Sequence, residues 1–441
     1  MSFFLDQLLE HLPHTHVRGE SRCVVNGMTR EARSVAPGWV YVSVPEAVEP
    51  NPYAAVRAAE RGAAAVICGP GVVTPRRVPC VRVADARVAY AHGASALHRH
   101  PANALKLIGV RGASSFAVAW FLRELLAGCG RVTGLFSTRG SEVGDRFLPQ
   151  PTEELDSQEF FAQLGALEKL RGQIAVIELT ARLDLTRTLT PVPWFGTVAA
   201  PADGSYLCDD LYRVIEVKAG PDQSRVILSS PTGRLVANPR IAGERNLRAF
   251  VTAARALLRW GLKPSELSAA SDRLSAAPGN CEPLAAGQPF SVWIDGADSM
   301  NELAQTLHEA RAMSRGRVVV VTGGGARHSP VEWSGLVRSA AEAADVIWIT
   351  GNDPGTLDAA AIGTEFAAQL RMARGGEANV EADRSRAISQ AIHCARTGDV
   401  VVIAGKGHRR TQAIDGAVIP FEDRLVAQFA LAERGYAGGT S

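Results

Sequence analysis

Ala104-Leu-Lys-Leu-Ile-Gly-Val110, Arg111-Gly-Ala-Ser-Ser115 and the run Phe116 to Ala127 follow one another without a break. The first is apolar and of strand length, the second is a glycine-bearing turn, and the third repeats apolar residues at helical spacing. Strand, turn and helix in that order are the building unit of a parallel sheet. The alternation continues on both sides. Upstream, Val40–Val44, Ala64–Ile67 and Pro79–Val83 read as strands around a helix from Tyr53 to Arg61. Downstream, Gln173-Ile-Ala-Val-Ile-Glu178 is a buried strand ending in an acid, and 199–240 is turn-rich with β runs at Tyr212–Val217 and Arg225–Leu228. Helices are expected from Arg245 to Trp260 and from Pro264 to Leu274, and Pro278-Gly279 marks a linker. Four further strands, Phe290–Ile294, Arg317–Thr322, Val346–Thr350 and Asp399–Ala404, have helices between them. The last three end in glycine or small polar residues, where an open parallel sheet places its ligand crevice. The fold class is therefore α/β. A chain of 441 residues exceeds one ordinary core, so two to three domains are expected.

Composition narrows the function. Hydrophobic residues are 46% and charged residues 21%, a soluble globular balance. The net charge of +2 and the lack of a basic run give no reason to expect a nucleic-acid partner. Apolar runs such as Arg317–Thr322 are far short of a membrane span, and Met1–Leu12 carries acids and no basic leader, unlike a signal peptide. Seven dispersed cysteines without a CxxC pair suit a reducing cytoplasm, and no metal site is expected from them. Lysine occurs only at 106, 169, 218, 263 and 406, so chemistry that needs a lysine can be checked at five positions.

The C-terminal third is the most specific. Ala404-Gly-Lys-Gly-His408, Gln412 and Ile419-Pro-Phe-Glu-Asp-Arg424 resemble the GKGHExYQ…IPFxDR signature of the Mur ligase family, in the branch that adds the third peptide residue to UDP-MurNAc-dipeptide. Val321–His328 resembles that family's FGCGGDRD, Ile349–Gly355 its VTxDNPR, and Asn26–Gly38 its GLTxDSRxVxPG. The resemblance implies three domains: a UDP-sugar-binding-like α/β domain at 1–103, a shortened P-loop-like parallel sheet at 104–282, and a Rossmann-like α/β domain at 283–441. It also implies a reaction in which a carboxylate is phosphorylated by ATP and an amine attacks the acyl phosphate.

Against that pattern the polar residues depart. Where the family has GVTGTNGKTT the chain has Gly109-Val-Arg-Gly-Ala-Ser-Ser-Phe-Ala-Val118. Gly109 and Gly112 remain, no lysine follows, Ser114 or Ser115 offers a hydroxyl for Mg²⁺, and Arg111 offers a bulkier cation. Glu178 matches the Mg²⁺-binding glutamate of MEVSSHAL and is the residual catalytic candidate; Arg182 replaces its histidine. TTPE becomes Gln150-Pro-Thr-Glu153, the segment matching NLxxDHLDxH reads Pro201–Tyr206, and the helix with the carbamylated lysine is missing. Asn246 and Asp295 match nucleotide-contacting positions. Thr29 and Arg33 are the UDP-sugar candidates, with Asn51-Pro-Tyr53 in place of DGH. Arg327, Asn352, Asp353, Lys406 and His408 are candidates for an amino-acid or anion site. Gly355 replaces the arginine that recognises diaminopimelate, and Arg409 would face that substrate's ammonium group with a like charge.

These losses lead to the expectation of a cytoplasmic Mur-ligase-like pseudoenzyme. It would bind a UDP-sugar or amino-acid-like molecule, or scaffold a related ligase or biosynthetic enzyme, without ATP-dependent ligation and without a cofactor. The alternatives are an amide ligase with a rebuilt Mg-ATP site or an activated acyl donor, and a UDP-sugar sensor.

Overall fold

A computed structural model of the chain describes residues 3–13, 16–45, 53–112, 114–148, 156–200, 206, 210–374 and 379–436. They fall into two compact units, 1–119 with 130–200, and 120–129 with 201–441.

The first unit contains a five-stranded and a six-stranded sheet, beside a two-stranded pairing of β1 with β3. It begins with β1 (Phe3–Phe4), α1 (Leu5–Leu9), β2 (His16–Arg18), β3 (Val24–Val25), β4 (Gly27–Thr29) and β5 (Trp39–Ser43). Then come α2 (Ala54–Glu60), β6 (Ala65–Cys68), β7 (Cys80–Arg82) and α3 (Ala86–Leu97). The sheet order is β2-β7-β6-β5-β4, parallel from β4 to β7, with β2 antiparallel at the edge. The second sheet takes β8 (Lys106–Gly112), β9 (Thr133–Ser137), β10 (Gly140–Val143), β11 (Arg146–Leu148), β12 (Ile174–Glu178) and β13 (Trp194–Ala200). The helices α4 (Ser115–Gly128), α5 (Ser157–Lys169) and α6 (Ala181–Thr186) alternate with these strands. The order is β11-β10-β9-β12-β8-β13; the last four strands are parallel, and β10 and β11 fold back as antiparallel hairpins. That meander departs from the parallel sheet the sequence pattern implies. One apolar core runs through the unit, from Leu5 and Leu8 through Val40, Ile67 and Val81 to Phe136, Phe160 and Ile177.

The second unit opens with an antiparallel sheet, β14 (Arg213–Lys218), β15 (Arg225–Ser230) and β16 (Gly233–Ala237), followed by α7 (Glu244–Arg259) and α8 (Pro264–Ser271). A larger sheet follows: β17 (Glu282–Pro283), β18 (Ser291–Asp295), α9 (Met300–Met313), β19 (Val318–Thr322), α10 (Pro330–Ala343), β20 (Val346–Ile349), α11 (Ala359–Arg374), β21 (Asn379–Val380), α12 (Arg384–Cys394) and β22 (Val400–Ala404). The chain then forms the hairpin β23 (Thr411–Ile414) and β24 (Ala417–Pro420) and ends in α13 (Asp423–Glu433).

In the order β17-β18-β22-β19-β20-β21 every neighbour from β18 onward is parallel. Successive side chains of a strand point to opposite faces. Accordingly Trp293, Val318, Val320, Val400 and Val402 pack with Leu303, Leu336 and Phe366 on one face. Val292, Ile294, Val319, Val321, Val401 and Ile403 pack with Ile388, Ile392 and Leu431 on the other. That double burial is why these strands read as unbroken apolar runs rather than as alternating ones. Among the described residues no helix is long and apolar enough to cross a membrane.

Candidate active site

β8 ends at Gly112 and α4 begins at Ser115, so the expected strand–turn–helix is present. Gly112 has φ +119°, and a Cβ there would lie 2.3 Å from the Ala200 carbonyl oxygen, so the turn requires glycine. At Gly109 a Cβ would meet Leu179 at 2.6 Å. Glu178, at the end of the neighbouring β12, is buried, and its carboxylate faces the start of α4. Its Oε1 accepts from the Ser115 hydroxyl at 2.8 Å, and its Oε2 accepts from both the backbone N–H and the hydroxyl of Thr138 at 2.9 Å.

A carboxylate and a hydroxyl joined at a helix N-terminus are the protein groups that a Mg²⁺ bound to nucleotide phosphates uses, because that ion keeps waters and takes only one or two protein ligands. These residues therefore fit such an ion. Ser114 accepts the Val118 N–H through its carbonyl, in the first turn. Arg111 reaches Asp184 at 3.6 Å, both side chains being more than half exposed. Thr138 was not foreseen: it meets Glu178 only because β9 and β12 pair with Phe136 opposite Ile177.

The N-terminal sheet carries a cleft of about 970 Å³. Arg30, Arg33, Arg57, Arg61 and Arg87 line it against Glu31 and Asp85, a formal excess of three positive charges. Its volume and charge suit a ligand with phosphate groups. Ser34 and then Arg33 hold the Glu31 carboxyl below its ordinary value, as Arg87 does for Asp85. Arg30 also pairs with Asp156 at 3.0 Å, and Arg61 donates to the Arg33 carbonyl. Of the two sequence candidates, Arg33 lines the cleft. Thr29 is buried beside it, where its hydroxyl accepts the Glu31 N–H at 3.1 Å and steadies the turn. The other four arginines carry no local sequence signal.

In the second unit the remaining candidates collect at the carboxyl ends of β18, β19, β20 and β22, with Asn246 on α7. Asn246 and Asp295 are buried and already engaged. Asn246 donates to the Ala242 and Asn280 carbonyls and accepts from Asn280 Nδ2. Asp295 accepts from Cys281 N, Ala297 N and Thr306 Oγ1 and lies 3.5 Å from Arg245. Lys406 is fully buried; its Nζ meets Asp353 Oδ1 at 2.6 Å. Burial lowers the Lys406 pKa, and Asp353 offsets part of that.

Arg409 bridges Asp298 at 3.0 Å and Asp353 at 3.4 Å, while Arg327 reaches Asp298 at 3.2 Å. Two carboxylates thus share the charge of Arg409, so it does not stand alone against a cationic amino acid. Asn352 is buried, with its Nδ2 where a Gly405 Cβ would fall. The His408 backbone closes the same turn against the linker: a Cβ on Gly279 would lie 2.4 Å from His408 N, and one on Gly407 would lie 2.7 Å from Gly296 Cα. Gly296 N donates to the Gly279 carbonyl at 2.8 Å, so three chain segments meet there as bare backbone. The segments matched to TTPE and DGH lie wholly or largely outside the described residues, as does most of Pro201–Tyr206.

Residues 281–407 match the family model "Mur ligase, glutamate ligase domain". The chain is 28% identical, over 97% of its length and 99% of the relative's, to the UDP-N-acetylmuramoyl-L-alanyl-D-glutamate–2,6-diaminopimelate ligase of Geobacillus kaustophilus. It is 26% identical, over 98% and 100%, to the UDP-N-acetylmuramyl-tripeptide synthetase of Roseiflexus. A solved UDP-N-acetylmuramoyl-L-alanyl-D-glutamate–2,6-diaminopimelate ligase superposes with a TM-score of 0.64 at 17% identity, covering 99% of this chain and 100% of that one. The folylpolyglutamate synthase of Mycobacterium tuberculosis complexed with ADP reaches 0.54 at 13% identity, over 72% and 91%.

These likenesses overturn the expectation of a pseudoenzyme that scaffolds or senses. The relatives run the length of the chain and are named as ligases and synthetases. The geometry agrees with them to this extent: beside the turn that lacks the lysine, Ser115, Glu178 and Thr138 remain assembled.

Proposed function

We propose, from the premise that this chain belongs to the Mur ligase family, that it is an ATP-dependent amide ligase joining an amino acid to a carboxylate carried on a UDP-sugar peptide. The observation that carries the reading is the Ser115–Glu178 pair at the start of α4, 2.8 Å apart, beside a turn that tolerates only glycine. The domains at 1–103, 104–282 and 283–441 would serve the sugar nucleotide, the ATP and the amino acid in turn.

In the proposed reaction the substrate carboxylate attacks the γ-phosphorus of ATP, ADP leaves, and the amine displaces phosphate from the acyl phosphate to give the amide. Phosphoryl transfer of this kind rests on positioning and charge neutralisation. A bound Mg²⁺ would neutralise phosphate charge; Ser115 and Glu178 would hold it, and Thr138 keeps Glu178 oriented through two hydrogen bonds. The arginine cleft supports diphosphate binding in the first unit. In the second, the Lys406, Arg409 and Arg327 cations on Asp353 and Asp298 support binding of an amino acid's carboxylate.

The test incubates the purified chain with UDP-MurNAc-dipeptide, Mg-ATP and single amino acids, reading phosphate release and the product mass. Phosphate release that requires both the dipeptide and one amino acid, with a product heavier by that residue, is expected. No release with any amino acid refutes the reading.

A further inference from the structure

Five charged side chains form a chain across the carboxyl ends of four strands: Arg327, Asp298, Arg409, Asp353 and Lys406, each within 3.4 Å of the next. In it Arg327 and Arg409 grip one carboxylate between them, that of Asp298, at 3.2 and 3.0 Å. We propose that Asp298 is an internal stand-in for the amino-acid carboxylate: it fills the Arg327–Arg409 clamp in the free protein and gives it up when an amino acid arrives. The inference rests on the ligase reading above.

The two acids of the chain are held differently. Asp353 accepts from the buried Lys406 Nζ at 2.6 Å, from Ala413 N at 3.1 Å and from Arg409 Nη1 at 3.4 Å, and 15% of its side chain is exposed. The Asp298 side chain is 33% exposed, and both arginines meet the same oxygen, Oδ2. Among the described residues no other group donates to that carboxylate. Partly exposed ion pairs are weak, so Asp298 can leave at little cost where Asp353 cannot.

The backbone need not move with it. His328 Nδ1 accepts the Gly325 N–H at 3.3 Å, which leaves Nε2 to donate to the Asp298 carbonyl at 2.8 Å. Ala297 N donates to Asp295 at 2.8 Å, and the Ser299 hydroxyl caps α9. Rotation of the Asp298 side chain into solvent is therefore enough. Arg409 keeps its place without Asp298, through Asp353, the Lys406 carbonyl at 3.3 Å and the Gly405 carbonyl. An arriving carboxylate gains over Asp298 by giving each arginine an oxygen of its own, since guanidinium donors match carboxylates best through two parallel bonds.

Glycine is the probe, because it has the carboxylate and ammonium of every amino acid and no side chain to be excluded; glycinamide lacks the carboxylate. Isothermal titration of the full chain compares the wild type with Asp298→Asn, Asp298→Ala, Arg409→Gln and Glu342→Gln. The last makes a like charge change at the end of α10, by the amino end of β20. Both Asp298 variants are expected to bind glycine about three- to tenfold tighter than the wild type, the strength of partly exposed ion pairs. Glycinamide should bind them no tighter, Arg409→Gln should weaken glycine, and Glu342→Gln should leave it unchanged. Unchanged affinity in the Asp298 variants, or an equal gain in Glu342→Gln, overturns the proposal. Weaker glycine binding in them also overturns it, and makes Asp298 a partner of the ammonium group. Glycine that binds neither the wild type nor an Asp298 variant overturns it as well. Phosphate release by the wild type in the ligase assay tells whether the ligase reading falls with it. Should one Asp298 variant melt early, the other decides.

Discussion

Arg384 and Asp423 form an ion pair with no solvent exposure on either side chain. Nε and Nη2 of the arginine each donate to one carboxylate oxygen at 2.7 Å, and Nη2 also donates to the Ala404 carbonyl at 2.8 Å. The pair therefore ties the starts of α12 and α13 to the strand end that leads into Gly405-Lys406. Replacing Arg384 by methionine leaves the Asp423 carboxylate buried without its counter-ion. Losing one partner of such a pair costs about 3–5 kcal/mol. At roughly 2–4 °C per kcal/mol for a unit of this size, the melting transition of the second unit should fall by about 6–20 °C.

Adding Asp423→Leu removes the stranded charge, so Arg384→Met/Asp423→Leu should recover most of the loss, because a buried pair and an apolar replacement are often equivalent. Urea denaturation with hydrogen exchange of α12 and α13 separates this unit from the first and closes the double-mutant cycle. A double variant as unstable as the single one, or a single variant within about 1 kcal/mol of wild type, would refute the reasoning.

Two further outcomes follow from the geometry. In Glu178→Gln the side-chain oxygen can keep both Thr138 donors while the new amide donates to the Ser115 hydroxyl, so stability should change by only about 1 kcal/mol; the melting shift caused by Mg-ATP should vanish, and a shift that persists would remove Glu178 from metal binding. His92, His98 and His100, each with its pKa lowered first of all by burial, release protons on folding below their ordinary value of 6.5. The stability tied to their neutral forms is complete above that value and is lost as pH falls through the lowered folded-state values. The first unit should thus melt earlier at pH about 5.5 than at about 7.5, and thermal scans of a variant with all three changed to Gln should show a flatter dependence.

The parallel strands were legible because burial on both faces leaves unbroken apolar runs, as in Val318–Thr322 and Val400–Ala404. The β9–β10–β11 meander was not. Gly134 and Gly140 sit within its strands and Gly144 in the turn between β10 and β11, and its third strand, Arg146–Leu148, is mostly exposed. The site divides in the same way. Glu178 could be placed because it ends a strand, but Thr138 joins it only through strand register. The arginines of the N-terminal cleft lie up to 57 positions apart, between Arg30 and Arg87, and converge through the fold alone. Asn246 and Asp295 are candidates by position alone, and their side chains are engaged by Asn280 and by Cys281 and Thr306, which no spacing reveals.

The meeting of Gly279, Gly296 and Gly407 has an evolutionary consequence. Because Gly279 and Gly407 each leave no room for a Cβ beside the next segment, a larger residue at either is admissible only after the opposing backbone has moved. Single mutational steps there are closed, whereas the side chain of Arg409, which lies outside that seam, can be exchanged on its own. Such a junction is strongly epistatic: it would hold its shape through a lineage while the charges around it drift, letting substrate preference diversify on an unaltered frame.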